Sequence, residues 1–145
     1  MSGVSTTVLG MSSPIHVVAA VFTRLEPTTQ VFAARRGPGQ SMAGLWEFPG
    51  GKVEPGETEP QALVRELTEE LLITARVGSH VVTTEHAYDF GTIRLSSYYC
   101  AIAEGAPTMT EHDEVRWVDV DKLLQLEWAP ADVPAVRAVM EELGR

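Results

Sequence analysis

Three glutamates in Arg65-Glu66-Leu67-Thr68-Glu69-Glu70 carry the first chemical signal of this sequence, and the run Gly51-Lys52-Val53-Glu54-Pro55-Gly56-Glu57 precedes them. On a helix of about 100° per residue with Leu63 at the origin, Val64, Leu67 and Leu71 fall within about 100° of it and face a core. Glu66 then lies at about 300°, Glu70 at about 340° and Glu69 at about 240°. Only Glu69 stands opposite the apolar stripe. Glu70 adjoins the stripe and is expected to be partly buried, with Glu66 close behind. An ordinary solvated acidic face accounts for Glu69 and accounts poorly for Glu70. Like charges at i, i+4 also oppose the helix by about 0.2–0.5 kcal/mol per pair, so carboxylates beside a core need a compensating cation. Hard oxygen ligands at this spacing suit Mg²⁺, with Mn²⁺ as a substitute, held through one or two carboxylates and the phosphates of a substrate. Arg65 pairs with Glu69 at i, i+4 and steadies the cluster.

The helix that must position these groups begins at Thr58. Thr58 and Gln61 match a capping box, Pro60 sits in the first turn where its missing N–H costs little, and the apolar spacing carries the helix through Ile73. Ahead of it, the continuous apolar run 15–22 reads as a buried central strand, 30–34 as a second strand, 35–44 as a loop, and the glycine- and proline-rich stretch 45–56 as loop with little regular structure. After it, 81–88 and 92–102 form a hairpin around Asp89-Phe90-Gly91, and 115–118 is a short strand. Residues 120–124 make a helical turn, and 134–143 a terminal helix with Val136, Val139, Met140 and Leu143 on one face. Residues 1–13 read as a flexible leader and 14–145 as one domain: a mixed sheet with helices packed on its faces.

Composition narrows the partners. The chain has 145 residues, 11 Lys and Arg against 20 Asp and Glu, and a formal charge of -9, which disfavours a duplex-binding surface. It does not disfavour a metal-chelated nucleotide, because bound cations invert the local field. A single cysteine, Cys100, rules out an intrachain disulfide, agrees with a reducing cytosol, and is expected to be a buried inert thiol in a strand. The first residues lack a basic n-region, and no apolar run approaches the length of a membrane span, so the expected location is cytoplasmic. His16, His80, His86 and His112 lack a zinc-like spacing.

Gly51, five residues, Glu57, seven residues and Arg65-Glu66-Leu67-Thr68-Glu69-Glu70-Leu71-Leu72-Ile73 together resemble the Nudix box. One position departs: Leu72 stands where the family usually has a helix-ending glycine. The segments 43–51 and 128–134 resemble the MutT subgroup, most of all its CTP pyrophosphohydrolase members, with the mutagenic-nucleotide diphosphatases as near cousins. The likeness spans nearly all of the chain beyond residue 14. It implies an α/β Nudix fold, an α/β/α sandwich around a mixed β-sheet, and an enzyme that cleaves a nucleoside triphosphate to NMP and pyrophosphate.

The resemblance also implies roles. Glu66, Glu69, Glu70, the Gly50 carbonyl and Glu111 would hold Mg²⁺; Glu66, Arg65 and Glu111 form the catalytic set, with Glu66 the base and Glu111 second. Arg36 would grip the polyphosphate through its planar fork, and Glu47-Phe48-Pro49-Gly50 would line the nucleotide loop. Glu57 is expected to tie the loop to the helix start, Lys52 either helps with phosphate charge or is simply exposed, and Trp46, Phe48, Tyr88 or Trp128 could stack on a base. Asp132, between Pro130 and Pro134, either caps the following helix or reads the base. Ionised, it offers acceptors only, suiting the N4 amine of cytosine and repelling the carbonyls of uracil and 8-oxo-guanine. The expected substrates are therefore CTP, dCTP and 5-methyl-dCTP. The alternatives are an 8-oxo-dGTP diphosphatase and, outside enzymes, a nucleotide-binding regulator. ADP-ribose is disfavoured because Tyr88 stands where those members carry proline. Expected partners are a small-molecule nucleotide, with no nucleic-acid polymer and no membrane, and the chain is a monomer or homodimer.

Overall fold

The computed structural model describes residues 13–108 and 110–144; residues 1–12 of the expected leader lie outside the described residues. Seven strands and two helices follow in the order β1 (Ile15–Arg24), β2 (Gln30–Arg36), β3 (Trp46–Glu47), β4 (Gly50–Lys52), α1 (Glu59–Leu71), β5 (Thr74–Tyr88), β6 (Gly91–Glu104), β7 (His112–Asp119) and α2 (Val133–Leu143). Two 3-10 turns, Val120–Gln125 and Pro130–Asp132, lead into α2. The sheet is mixed: β1 and β6 run parallel, and the other pairings between these strands are antiparallel.

β1 is apolar from Val17 to Phe22 because both of its faces are covered there. Val18, Ala20 and Phe22 pack with Leu63, Leu67 and Leu71 of α1, while Ala19 and Val21 pack with Val136 and Val139 of α2. This is the expected sandwich of helices around a mixed sheet. Cys100 is buried in the α1 layer, where burial pushes its thiol up to about 12. Among the described residues no helix is long and apolar enough to cross a membrane.

The region expected as loop between residues 45 and 56 instead contains β3 and β4. β1 pairs with β2 only at Thr23 and Arg24, and its opposite end pairs with β4 through Val17, Val18 and Ala19. Residues 46–52 fill the fork between them, with the Ala20 N–H donating to the Pro49 carbonyl at 2.8 Å. Gly50 makes this possible, since a Cβ there would overlap the Val18 carbonyl oxygen.

α1 carries the expected capping box, with the Gln61 N–H donating to Thr58 Oγ1 at 3.2 Å and the Thr58 N–H to Gln61 Oε1 at 2.9 Å. It ends at Leu71 rather than Ile73, because Leu72 turns into the left-handed region at φ 60 and ψ 39. Ile73 is still buried, but as the residue that leads into β5. β5 itself starts seven residues earlier than its alternating pattern suggests. Its polar early stretch pairs with β6 through register irregularities between Val77 and Val82, with Gly78 passing close to the Tyr99 carbonyl. β1, β2 and β7 also run longer than their apolar cores.

Candidate active site

A cleft of about 480 Å³ opens where the forked β1, the 46–52 segment and α1 meet. Gly50, Glu66, Glu70 and Glu111 make its charged end, and Tyr88, Phe90, Ile93 and Ala131 a largely apolar end with Asp132. Arg36 and Glu47 belong to both, since the Glu47 charge acts on Glu70 and on Asp132 and the Arg36 charge on Asp132.

Helical spacing brings Glu66 and Glu70 to the charged end. Glu70 is 6% exposed, and its carboxylate accepts from the Gly50 N–H at 3.3 Å. Burial first, and then the charges of Glu47, Glu111 and Glu66, push its carboxyl up to about 9. Burial likewise raises Glu66, against the opposing pull of Arg65. Gly51 leaves room for this carboxylate, since a Cβ there would overlap Glu66. Glu69 is not brought in. Its side chain is 61% exposed on the far side of Arg65, as its position opposite the apolar stripe requires.

Arg65 does pair with Glu69, at 3.3 Å, but this is not its main contact. Its Nε and Nη2 donate to both oxygens of Glu57 at 2.7 and 2.9 Å, Nη2 also donates to the Lys52 carbonyl, and Nη1 donates to Glu66 Oε2 at 3.1 Å. Arg65 thus stands behind the cleft wall and binds the loop, the helix and the Glu66 carboxylate into one unit. Glu57 also accepts from the Glu54 N–H at 2.9 Å, which is the loop-to-helix tie expected of it. Lys52 lines the cleft with its side chain exposed.

Arg36, at the end of β2, reaches the cleft and donates from Nη1 to Glu47 Oε1 at 2.9 Å. Phe48 also lines the cleft, whereas Pro49 is fully buried behind it. Asp132 corrects one expectation. It stands at the N-cap position of α2 yet makes no side-chain cap; its Oδ2 instead accepts from the Phe48 N–H at 3.0 Å. Burial, then the Glu47 charge, raises its carboxyl well above the usual range, against the opposing pull of the Phe48 N–H and Arg36.

Three of the four aromatics expected near a base belong to the core. Trp46, Phe48 and Trp128 are 5%, 2% and 7% exposed, and Trp128 Nε1 donates to the Leu123 carbonyl. Tyr88 remains at the cleft, its hydroxyl accepting from the Ala131 N–H at 2.8 Å. A residue not anticipated joins it: Phe90, 59% exposed, stacks on Tyr88 with centroids 5.1 Å apart and planes 7° from parallel. The available signal was an aromatic at a two-residue hairpin turn, where an apolar side chain has no core to enter.

Among the described residues no three acidic, histidine or cysteine groups are gathered closely enough to form a ready-made metal cage. The donor set nevertheless fits a hard divalent cation. Glu70 is buried among like charges, Glu66 and Glu111 line the same cleft, Arg36 is tied to Glu47, and Arg65 is shared between Glu57 and Glu66. Such an arrangement attracts Mg²⁺ completed by substrate phosphates.

Comparison with known proteins agrees with the geometry. The NUDIX domain matches the chain over residues 14–139. The chain is 40% identical over 126 residues to the CTP pyrophosphohydrolase of Escherichia coli, covering 87% of this chain and 91% of that protein. It is 36% identical over 107 residues to an Escherichia coli 8-oxo-dGTP diphosphatase, covering 74% and 83% respectively. Among solved structures, a MutT protein of methicillin-resistant Staphylococcus aureus matches with a TM-score of 0.73 at 45% identity, covering 91% of this chain and 99% of that one.

Proposed function

The chain belongs to the Nudix hydrolase family, and from that membership we propose a Mg²⁺-dependent pyrophosphohydrolase that prefers CTP, dCTP and 5-methyl-dCTP and releases NMP and pyrophosphate. Nudix hydrolases generally use a divalent metal such as Mg²⁺ and act on small nucleotides. The observation that carries the reading is the two-ended cleft: carboxylates at one end, an aromatic and apolar chamber around Asp132 at the other. A nucleoside triphosphate has the same polarity.

In this reading Glu70, Glu66, Glu111 and the Gly50 carbonyl hold the cation, with Glu69 supporting them through Arg65. Bound there, Mg²⁺ neutralises phosphate charge and makes a water molecule more acidic. Arg65 occupies Glu66 Oε2, so Oε1 is the oxygen left to accept the proton of the attacking water. Arg36 orients the polyphosphate. Tyr88 and Phe90 provide the face on which the base stacks, and the Asp132 carboxyl meets its edge. Residues 14–145 act as one domain behind the 1–13 leader, in the cytoplasm, as monomer or homodimer, without nucleic-acid polymer or membrane as partners.

The upward shift of the Asp132 carboxyl favours 8-oxo-dGTP as a second substrate: burial works against the ionised form, and a protonated carboxyl donates to a carbonyl as well as accepting from an amine. Comparing kcat/KM for CTP, dCTP, 5-methyl-dCTP, UTP, 8-oxo-dGTP and dGTP with Mg²⁺ separates the two. The cytidine reading requires the three cytidine nucleotides to lead, and a lead by 8-oxo-dGTP replaces it.

A further inference from the structure

We propose that buried His112 is a positioning residue for the polyphosphate grip: by occupying one oxygen of Glu47, it leaves the outer N–H groups of Arg36 free for phosphate. The inference rests on reading the cleft as a nucleotide site.

Three neighbouring strands bring these residues together. β2 lies between β3 and β7, with Ala34 opposite Glu47 on one side and Arg36 opposite His112 on the other. A register shift at Arg35 and Arg36 separates the two arginines. Arg35 pairs with Asp113 and Glu114, while Arg36 lines the cleft.

The His112 side chain is 1% exposed, and its Nε2 lies 2.8 Å from Glu47 Oε2. A carboxylate only accepts, so Nε2 carries the proton and donates. Nδ1 is buried and has no partner among the described residues. Leaving a buried polar atom unsatisfied costs free energy that an apolar side chain of similar shape avoids. What the imidazole provides in return is its Nε2–H, delivered to Glu47.

Arg36 has five N–H groups. Nε donates to the Ser41 carbonyl at 2.6 Å, Nη1 to Glu47 Oε1 at 2.9 Å and Nη2 to Ser41 Oγ at 3.3 Å. That count leaves one N–H on each Nη without a partner among the described residues, and these two are the donors available to phosphate. Were Glu47 Oε2 unoccupied, the carboxylate would turn to take a second guanidinium N–H and compete with phosphate. His112 prevents that closure from inside the core.

The test compares His112→Leu, His112→Gln and His112→Asn with wild type, using calorimetric binding of inorganic tripolyphosphate in Mg²⁺ and steady-state kinetics on CTP. Gln places an amide N–H near the Nε2 position without the orphaned Nδ1, whereas Asn reaches only the Nδ1 position. Leu and Asn should weaken tripolyphosphate binding about tenfold or more, the effect of losing a hydrogen bond to a charged group. They should raise KM for CTP in parallel, with kcat and the Mg²⁺ requirement little changed, and Gln should restore wild-type binding. A purely structural role, disturbing Glu111 next door, would lower kcat and shift the Mg²⁺ requirement instead. If Leu does not fold, Gln against Asn carries the same contrast. The proposal is overturned if folded Leu or Asn variants bind tripolyphosphate as wild type does, if Gln is as impaired as Asn, or if wild type does not bind tripolyphosphate. If the binding pattern appears without CTP hydrolysis, His112 keeps its role and the proposed activity falls.

Discussion

Glu66 and Glu70 share a wall of the cleft but answer to different environments, and substitution should separate them. Glu66→Gln removes the proton acceptor and should lower kcat by about 10²–10⁴-fold. Glu70→Gln should lower activity with a weakened Mg²⁺ requirement curve, yet stabilise the metal-free fold. A carboxyl held near 9 in the folded chain opposes folding above its ordinary value of 4.5, increasingly so until about pH 9. Removing it should therefore add ~1–3 kcal/mol near pH 7, read by denaturant melts in chelator. A Gln variant with wild-type turnover would make Glu70 mere buried charge. Asp132 governs the other end. Its Oδ2 is committed to the Phe48 N–H, so Asp132→Asn presents an amide donor where the acid presents Oδ1. The ratio of kcat/KM for CTP to that for 8-oxo-dGTP should fall about tenfold, matching the ~1.4 kcal/mol of one edge contact. An unchanged base ranking would remove Asp132 from base recognition.

At the scale of elements, α1 is the part most legible in the sequence, because its signals are local: the Thr58 cap, the Gln61 partner and the leucine spacing all act within a few turns. Its end is legible only as an irregularity. Leu72, 57% exposed, holds a left-handed conformation that glycine adopts without penalty. Leu72→Gly should stabilise the protein by ~0.5–1 kcal/mol after the larger unfolded-state entropy of glycine is deducted, raising Tm by roughly 2–4 °C. A lower Tm would mean that the leucine side chain contributes packing at this turn. The Arg65–Glu57 contact has a pH signature. Its hydrogen bonds hold the Glu57 carboxyl down to about 2, so the stabilisation is complete above the ordinary value of 4.5 and is lost as pH falls toward 2. Glu57→Gln should flatten that part of the acid limb in thermal melts; an unchanged limb would show that the contact does not contribute. β3, β4 and the early part of β5 were not legible, for one physical reason. They are very short, glycine-rich or polar, and they become strands only because β2, β1 and β6 respectively lie beside them.

Over the whole molecule, the sandwich follows from one long apolar strand covered on both faces by two amphipathic helices, and that pattern is written along the chain. The charged end of the cleft follows as well, since spacing alone sets Glu70 beside the core. The other end does not. Whether Trp46 enters the core, whether Asp132 is buried against Phe48 and whether His112 reaches Glu47 depend on segments 65 to 84 residues apart in sequence. The account makes one demand of the whole structure: a triphosphate must lie with its base at Tyr88 and Phe90, and the break must leave pyrophosphate. Phosphorus NMR of the products formed from CTP, with Mg²⁺ and then with excess chelator, measures this directly. CMP and pyrophosphate in equal amounts, formed only with the cation, is the predicted result. Orthophosphate as the primary product, or undiminished turnover in chelator, would contradict it.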